Sequence, residues 1–130
     1  MLVMNPVFIT SIDHRTYLSL LQFLAALVGN SSSGIMEAAS FKLPAVNVGI
    51  RQNGRERGRN VLDCAADRAE IKNAVASALS STFRASLDGL KNPYGDGHAA
   101  ERIADILSSA DLSESLLAKA PSPIHLSAVA

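Results

Sequence analysis

Three kinds of polar group that could do chemistry lie close together in the first half of this chain. They are a run of small hydroxyl residues ending in glycine, one carboxylate and one guanidinium, in the order Ser31, Ser32, Ser33, Gly34, Glu37 and Arg51. Hydroxyls and free backbone N–H groups at a tight turn donate hydrogen bonds to phosphate oxygens, which arginine also binds. A carboxylate accepts hydrogen bonds from vicinal hydroxyls. The combination predicts a phosphate and ribose site.

Each of these residues also has a purely structural explanation. The serines could simply cap a helix and form its turn. Glu37 would lie in the first turn of that helix, where a carboxylate is favourable to the helix dipole whatever its function. Gly34 would let a phosphate approach the backbone, because a side chain at this position would keep it away.

Four arginines follow with only Glu56 opposing them, at Arg51, Arg55, Arg57 and Arg59. Such a cluster could bind phosphate, but it could equally be a solvated or subunit-contacting surface. The whole chain has 12 basic and 12 acidic residues, so it has no net field that would recruit a polyanion. Because no aromatic residue lies between the arginines, we expect no nucleic-acid partner.

The apolar pattern predicts alternating strands and helices. Strands are expected at 6–10, 26–28, 45–48 and 61–64. Helices are expected to begin near Asp13 or Thr16, to run over 34–41, and to start at Asp67, which has capping-box spacing with Glu70. Their apolar faces would be Tyr17, Leu20, Leu21, Leu24 and Ala25; Ile71, Ala74, Val75, Ala78 and Leu79; and, on a last helix, Ala99, Ile103, Ile106 and Leu107.

This alternation predicts an α/β fold, a Rossmann-like parallel sheet with helices on both faces. In such a sheet the serine turn would lie at the carboxyl end of its strand, where open α/β sheets bind ligands. We expect residues 1–109 to form one nucleotide-binding domain. The Ser/Ala/Pro-rich tail, 110–130, shows no helical or strand period, and we expect it to be poorly ordered.

Several classes of protein are disfavoured. A lone Cys64 excludes an intrachain disulfide framework and is expected to be a buried structural thiol in a reducing compartment. The longest apolar run, 23–28, is too short to span a bilayer, and the first residues do not read as a signal peptide. His14, His98 and His125 lack metal-ligand spacing. We expect a cytoplasmic protein without membrane contact, metal or cofactor.

The order of the motifs resembles the C-terminal half of the UDP-N-acetylglucosamine 2-epimerases, in the hydrolysing branch that releases N-acetylmannosamine and UDP. The resemblance spans about 7–107. Its central block is GNSSSG at 29–34, Glu37, LPAVNVG at 43–49, Arg51-Gln52 and Gly54-Arg55, flanked by YLSLL at 17–21 and NPYGDG at 92–97. The serine triplet and the Arg51-Gln52 pair favour the hydrolysing branch over its non-hydrolysing relatives.

The resemblance implies a glycosyltransferase-B-like enzyme of two Rossmann-like domains, of which 130 residues supply one. It implies that Ser31 and Ser32 bind the diphosphate of UDP, and that Ser33 and Gly34 shape the turn and present N–H groups. It also assigns Glu37 to the ribose hydroxyls and Arg51 to the nucleotide. The catalytic acid and base would lie in a missing N-terminal domain, so we expect this chain alone to be inactive.

The same resemblance implies a UDP-sugar substrate and a homo-oligomeric full-length enzyme. Two other functions stay open: a truncated, non-catalytic nucleotide-sugar-binding or interaction module, and the donor domain of a glycosyltransferase. For Arg55, Arg57 and Arg59 we favour a surface or interface role. His98 stands where the family more often has asparagine, which leaves its role open.

Overall fold

A computed structural model describes residues 6–114 and Ala118. The chain divides into two compact units, one up to Asp96 and one from Gly97 onward. The elements of the first unit are α1 (His14–Leu21), β1 (Leu27–Gly29), α2 (Ser33–Met36), a 3₁₀ turn (Ala38–Phe41), β2 (Ala45–Val48), β3 (Val61–Cys64), α3 (Arg68–Leu79) and α4 (Ser81–Ser86). The second unit contains α5 (Ala99–Ser109).

The three strands form a parallel sheet in the order β1-β2-β3. Val28 is paired in register with Val46, and Val46 with Leu62. The helices of the first unit lie around this sheet, which confirms the predicted α/β class. Because the strands run in the same direction, the loops that follow Gly29 and Val48 leave the sheet at the same edge.

The core of the first unit is small and lies around α1, the 3₁₀ turn and β2. Its buried cluster consists of Leu21, Ala38, Leu43 and Ala45, against which Tyr17, Leu18, Leu27, Phe41 and Val61 pack. A fully buried leucine side chain contributes about 2 kcal/mol relative to an exposed one. The cluster therefore anchors α1 and the 3₁₀ turn near the start of β2.

The predicted strand at 6–10 is wrong. Residues 6–9 have no regular structure, and the side chains of Val7 and Phe8 are 84% and 88% exposed. A β-prone run forms a strand only where a neighbouring strand satisfies its N–H and C=O groups. Local propensity without such a partner did not suffice here.

The predicted helix at 34–41 is broken into two pieces. α2 ends at Met36, and the 3₁₀ turn that follows ends at Phe41 and is capped by Lys42, which has a left-handed backbone with φ 51°. The N–H groups of Lys42 and Leu43 bond back to the carbonyls of Ala39 and Ala38. The chain is thereby turned directly into β2.

The face of α1 also differs from the prediction. Leu21 is buried and Tyr17 is half-buried as expected, but Leu18 packs into the core. Leu20 and Leu24 are exposed instead. The reason is that α1 ends at Leu21, so the helical spacing that would have brought Leu24 onto this face no longer applies.

The remaining elements agree closely with the sequence in position. Strands 45–48 and 61–64 have the predicted bounds, and Asp67 caps α3 by accepting from the N–H groups of Ala69 and Glu70. α4 was not predicted; the Ser80 hydroxyl caps it by accepting from the Phe83 N–H.

In the second unit the predicted last helix is present as α5. Its apolar residues Ile103, Ile106 and Leu107 are all exposed by more than half. The predicted poorly ordered tail, 110–130, lies outside the described residues except for 110–114 and Ala118.

Candidate functional site

The serine turn follows β1 directly at the carboxyl edge of the sheet. Ser31 organises the turn: its Oγ accepts from the Ser33 N–H at 3.3 Å, and its carbonyl accepts from the Gly34 N–H at 3.3 Å. The N–H groups expected to face a phosphate are therefore already engaged in long local bonds. Ser32, at the start of α2, makes no side-chain capping bond. The Ser32 hydroxyl therefore does not cap the helix.

Gly34 lies where α2 packs against the sheet. An added Cβ would lie 3.4 Å from the Ala45 Cβ and 3.7 Å from Leu27 Cδ2. It would thus point at the sheet, and Gly34 itself is buried. These are ordinary van der Waals distances, so the sheet contact alone does not require glycine at this position, and a role of Gly34 in admitting phosphate to the backbone stays a prediction.

The length of α2 limits what its dipole can do. α2 has four residues, so it forms about one turn, and the dipole of a helix grows from the alignment of many peptide units. An anion at this turn would have to be held mainly by hydroxyls and by a nearby cation, with the helix end as a small addition.

Glu37 lies in a hydrogen-bonded network with α1 that the sequence did not reveal. The Ser33 Oγ donates to Glu37 Oε2 at 2.6 Å, and the Tyr17 hydroxyl bonds to the same Ser33 Oγ. The other carboxylate oxygen, Oε1, lies 3.8 Å from His14 Nε2. The Tyr17 bond joins residues 16 apart in sequence, and it holds the serine turn and the carboxylate in one cluster.

The loop after β2 is tied to the serine turn by two side chains. Gln52 donates from Nε2 to the Asn30 carbonyl at 2.8 Å, and its side chain is buried. Arg51 donates to the same carbonyl over a longer 3.4 Å and is exposed. Ser31 and Arg51 therefore lie on two loops in direct contact, and the Arg51 side chain is exposed.

The other three arginines are held within the chain. Arg57 pairs with Asp63 and donates to the Gln52 carbonyl at 2.8 Å, and its side chain is 22% exposed. Arg59 donates to the Asp88 carbonyl at 2.6 Å, and Arg55 contacts the Met36 sulfur at 3.5 Å. Arg57 thus does not fit the predicted surface role: it braces the loop that carries Arg51.

The NPYGDG motif has a positioning role as well. Its first residue, Asn92, uses both protons of its amide, donating to the Met36 carbonyl at 2.7 Å and to the Ser40 Oγ at 2.8 Å. The motif therefore fixes the end of α2, and with it the stretch that carries Glu37.

The residues that the structure describes, 6–114 and Ala118, also bear on metal and membrane binding. They contain no group of three or more His, Cys, Asp or Glu side chains that could hold a metal ion. In that same part of the chain no helix is both long and apolar enough to cross a bilayer. Cys64 is half-buried. Burial raises the pKa of its thiol, and the carboxylates of Glu70 and Asp63 raise it further, which disfavours the reactive thiolate.

Comparison with known proteins gives a family match and several similar relatives. The family described as UDP-N-acetylglucosamine 2-epimerase matches residues 3–108. A UDP-N,N′-diacetylbacillosamine 2-epimerase (hydrolyzing) of Legionella pneumophila is 42% identical over 93 residues, which are 72% of this chain and 24% of the relative.

Two further relatives are more distant. The polysialic acid biosynthesis protein P7 of Escherichia coli is 33% identical over 67% of this chain and 22% of its own length. A UDP-N-acetylglucosamine 2-epimerase of Neisseria meningitidis is 32% identical over 76% of this chain and 26% of its own length. The chain thus spans about a quarter of the length of these relatives.

Proposed function

The chain belongs to the UDP-N-acetylglucosamine 2-epimerase family, and on that basis we propose that it is the UDP-binding part of a hydrolysing UDP-sugar 2-epimerase. The observation that carries the proposal is the contact between the serine turn and the Arg51-Gln52 loop, made through the Asn30 carbonyl at the carboxyl edge of the sheet. This contact brings the exposed Arg51 guanidinium next to the loop that contains the serine hydroxyls, and it supports the proposal.

In this proposal different residues bind different parts of the nucleotide. Ser31 and Ser32 bind the diphosphate, with Ser32 offering its uncommitted hydroxyl. Arg51, exposed and weakly bonded, swings toward the phosphates. Glu37 accepts from the ribose hydroxyls. Ser33 and Gly34 act through the shape of the turn.

The reaction assigned to the full-length protein is elimination of UDP from the sugar, which gives a glycal-type intermediate, followed by addition of water with inversion at C2. In that scheme this part of the protein holds the leaving group. Ser31, Ser32 and Arg51 stabilise the charge that builds on the departing diphosphate, so they lower the barrier as well as bind. The acid and base that act on the sugar belong to a domain outside this chain.

The substrate is UDP-N-acetylglucosamine, with N-acetylmannosamine as the product. A diacetamido UDP-sugar is the second candidate, favoured by the 42% identity to the Legionella relative, whose name specifies such a sugar. The names of the relatives point to sialic acid or another surface polysaccharide as the end product.

The proposal includes a missing N-terminal domain, a homo-oligomeric cytoplasmic enzyme, and no nucleic-acid or membrane partner. The exposed apolar side chains of α5, which include Ile103, Ile106 and Leu107, support the view that further protein surface covers this part of the chain.

Calorimetric titration tests the binding role. The chain is titrated with UDP, UMP, uridine and inorganic diphosphate. Ser32→Ala and Arg51→Ala should each weaken UDP by about 1–3 kcal/mol, as expected for a lost charge-assisted hydrogen bond, and should affect uridine less. Arg84→Ala, which removes an exposed arginine on α4, is the matched control.

Glu37→Gln distinguishes the ribose role from the phosphate role. It should weaken uridine and UDP alike and leave diphosphate unchanged. If none of these variants changes the affinity for any of the four ligands relative to the wild type, the proposed site is refuted. The chain alone should form no N-acetylmannosamine, because positioning without an acid and base leaves the elimination uncatalysed. UDP release above that of the Arg51→Ala variant would contradict this.

A further inference from the structure

The number of hydroxyl protons fixes which group donates in each hydrogen bond around Glu37. A serine hydroxyl has a single proton, and the Ser33 Oγ donates it to Glu37 Oε2 at 2.6 Å. The Tyr17 hydroxyl, bonded to the same oxygen, must then be the donor in that pair. The order is Tyr17 to Ser33 to Glu37, which we call the relay.

The relay leaves Ser33 no proton for a phosphate oxygen. Its hydroxyl therefore acts on the carboxylate, although it lies between two residues assigned to nucleotide binding. The bond to Oε2 also occupies one of the two carboxylate oxygens, and it sets the rotation of the Glu37 side chain. That side chain is 35% exposed, so neighbouring atoms do not fix it by packing alone.

His14 offers Glu37 a competing position. His14 Nε2 lies 3.8 Å from Glu37 Oε1, beyond ordinary hydrogen-bond length, and its side chain is 72% exposed. If the bond from Ser33 were weakened, the carboxylate could rotate toward this exposed imidazole. The Tyr17 hydroxyl opposes that rotation because it restricts the Ser33 hydroxyl to pointing at Glu37.

We propose that Tyr17 is a positioning residue for ribose recognition: through Ser33 it holds the Glu37 carboxylate in the orientation that accepts the 2′ and 3′ hydroxyls. This inference rests on the proposed function, since it assumes that Glu37 binds ribose. It adds a residue of α1, 20 positions before Glu37 in sequence, that touches no ligand and still sets the preference for ribose.

The test compares two ligands that differ only at the ribose, UDP and 2′,3′-dideoxy-UDP. The wild-type chain should prefer UDP. Tyr17→Phe removes one oxygen and should weaken UDP by about three- to tenfold, the fold-change expected for one hydrogen bond. It should change the affinity for the dideoxy ligand by less than about twofold, because that ligand has no hydroxyls for Glu37 to accept.

Tyr94→Phe is the matched control. Tyr94 is the other of the two tyrosines in the chain, and its hydroxyl donates to the Glu56 carbonyl at 2.9 Å, outside the relay. The variant makes the same chemical change and should leave the preference for UDP over the dideoxy ligand unchanged.

Ser33→Ala removes the middle hydroxyl of the relay. It is the alternative test if circular dichroism shows that Tyr17→Phe folds poorly. It should reduce the preference for UDP, and adding Tyr17→Phe to it should have little further effect, because both changes remove one pathway. If Tyr17→Phe lowers the affinity for both ligands equally, Tyr17 has a merely structural role. If it lowers neither affinity, Tyr17 has no role in binding. Either result overturns the inference. Failure of the wild-type chain to bind UDP would instead refute the proposed function, and the inference with it.

Discussion

Replacing Gln52 by methionine separates the stability of the Arg51-Gln52 loop from its function. The change removes the bond from Nε2 to the Asn30 carbonyl, which measures 2.8 Å and has a net value of about 0.5–1.5 kcal/mol. Asn30 is exposed, so water can replace the lost donor. Methionine has nearly the volume of glutamine, and packing should be retained.

The same change removes an unfavourable group. Gln52 is 3% exposed, and its Oε1 has no hydrogen-bond partner among the described residues. A buried, unsatisfied acceptor costs about 1–3 kcal/mol. The two effects oppose each other, so the free energy of unfolding of Gln52→Met should lie within about 1 kcal/mol of the wild type, on the stabilising side because the unsatisfied acceptor costs more than the lost bond contributes.

UDP binding should nevertheless fall. Without the buried bond, the loop that carries Arg51 is no longer held to the serine turn by Gln52. The entropy lost on ordering the loop then opposes UDP binding. We expect a loss of about three- to tenfold in affinity. Urea unfolding followed by circular dichroism gives the stability, and calorimetry gives the affinity.

Gln52→Glu is the contrasting variant. It places a carboxylate oxygen against the Asn30 carbonyl in a buried position, where two acceptors repel and a charge loses its hydration. Its free energy of unfolding should fall by about 3 kcal/mol or more. If Gln52→Met is destabilised as strongly as Gln52→Glu, or binds UDP as tightly as the wild type, then Gln52 does not act by holding the Arg51 loop in place for UDP binding.

Three further outcomes are expected. Arg57→Ala, which loses the pair with Asp63, should lower the free energy of unfolding by about 1–2 kcal/mol in urea and weaken UDP less than Arg51→Ala does; an effect as large as that of Arg51→Ala would mean that both arginines bind phosphate. Asn60→Ala removes a fully buried amide that donates to the Leu43 carbonyl at 3.0 Å, a loss of about 1–3 kcal/mol, but it also removes an Oδ1 that has no partner among the described residues; the free energy of unfolding should therefore fall by less than about 2 kcal/mol in the same assay, and a loss above about 3 kcal/mol would contradict this account. Because the pKa of the Cys64 thiol is raised, its thiolate is depleted at pH 8, and iodoacetamide should modify it more slowly than a cysteine peptide, by a margin that narrows as the pH rises through the raised pKa; an equal rate at pH 8 would contradict the shift.

Much of the sheet could be predicted from local pattern. The strands 45–48 and 61–64 are short apolar runs bounded by turn residues, and in the structure each finds a parallel neighbour, so local preference and tertiary pairing agree. The run at 6–10 has a similar composition but no pairing partner in the described part of the chain, and it forms no strand. Composition reports which segments can be strands, whereas pairing decides which of them are.

The site shows the same division. Residue types and order were enough to single out the serine turn, Glu37 and Arg51, because the chemistry of a phosphate and ribose site limits the choice of side chains. They did not reveal that Tyr17 bonds to Ser33, that Gln52 bonds to Asn30, or that Arg57 bonds to Asp63 and to the Gln52 carbonyl. The first two bonds join residues 16 and 22 positions apart.

The sequence by itself determined the family, the α/β class and the set of polar groups available for binding, since these follow from residue identity, spacing and local preference. Only the tertiary structure decided which of those groups stay available to a ligand. That outcome depends on which donors and acceptors are brought within hydrogen-bond distance when the helices pack on the sheet. Ser33 is committed to the relay and Gly34 lies against the sheet, while Ser32 and Arg51 keep their polar groups largely uncommitted.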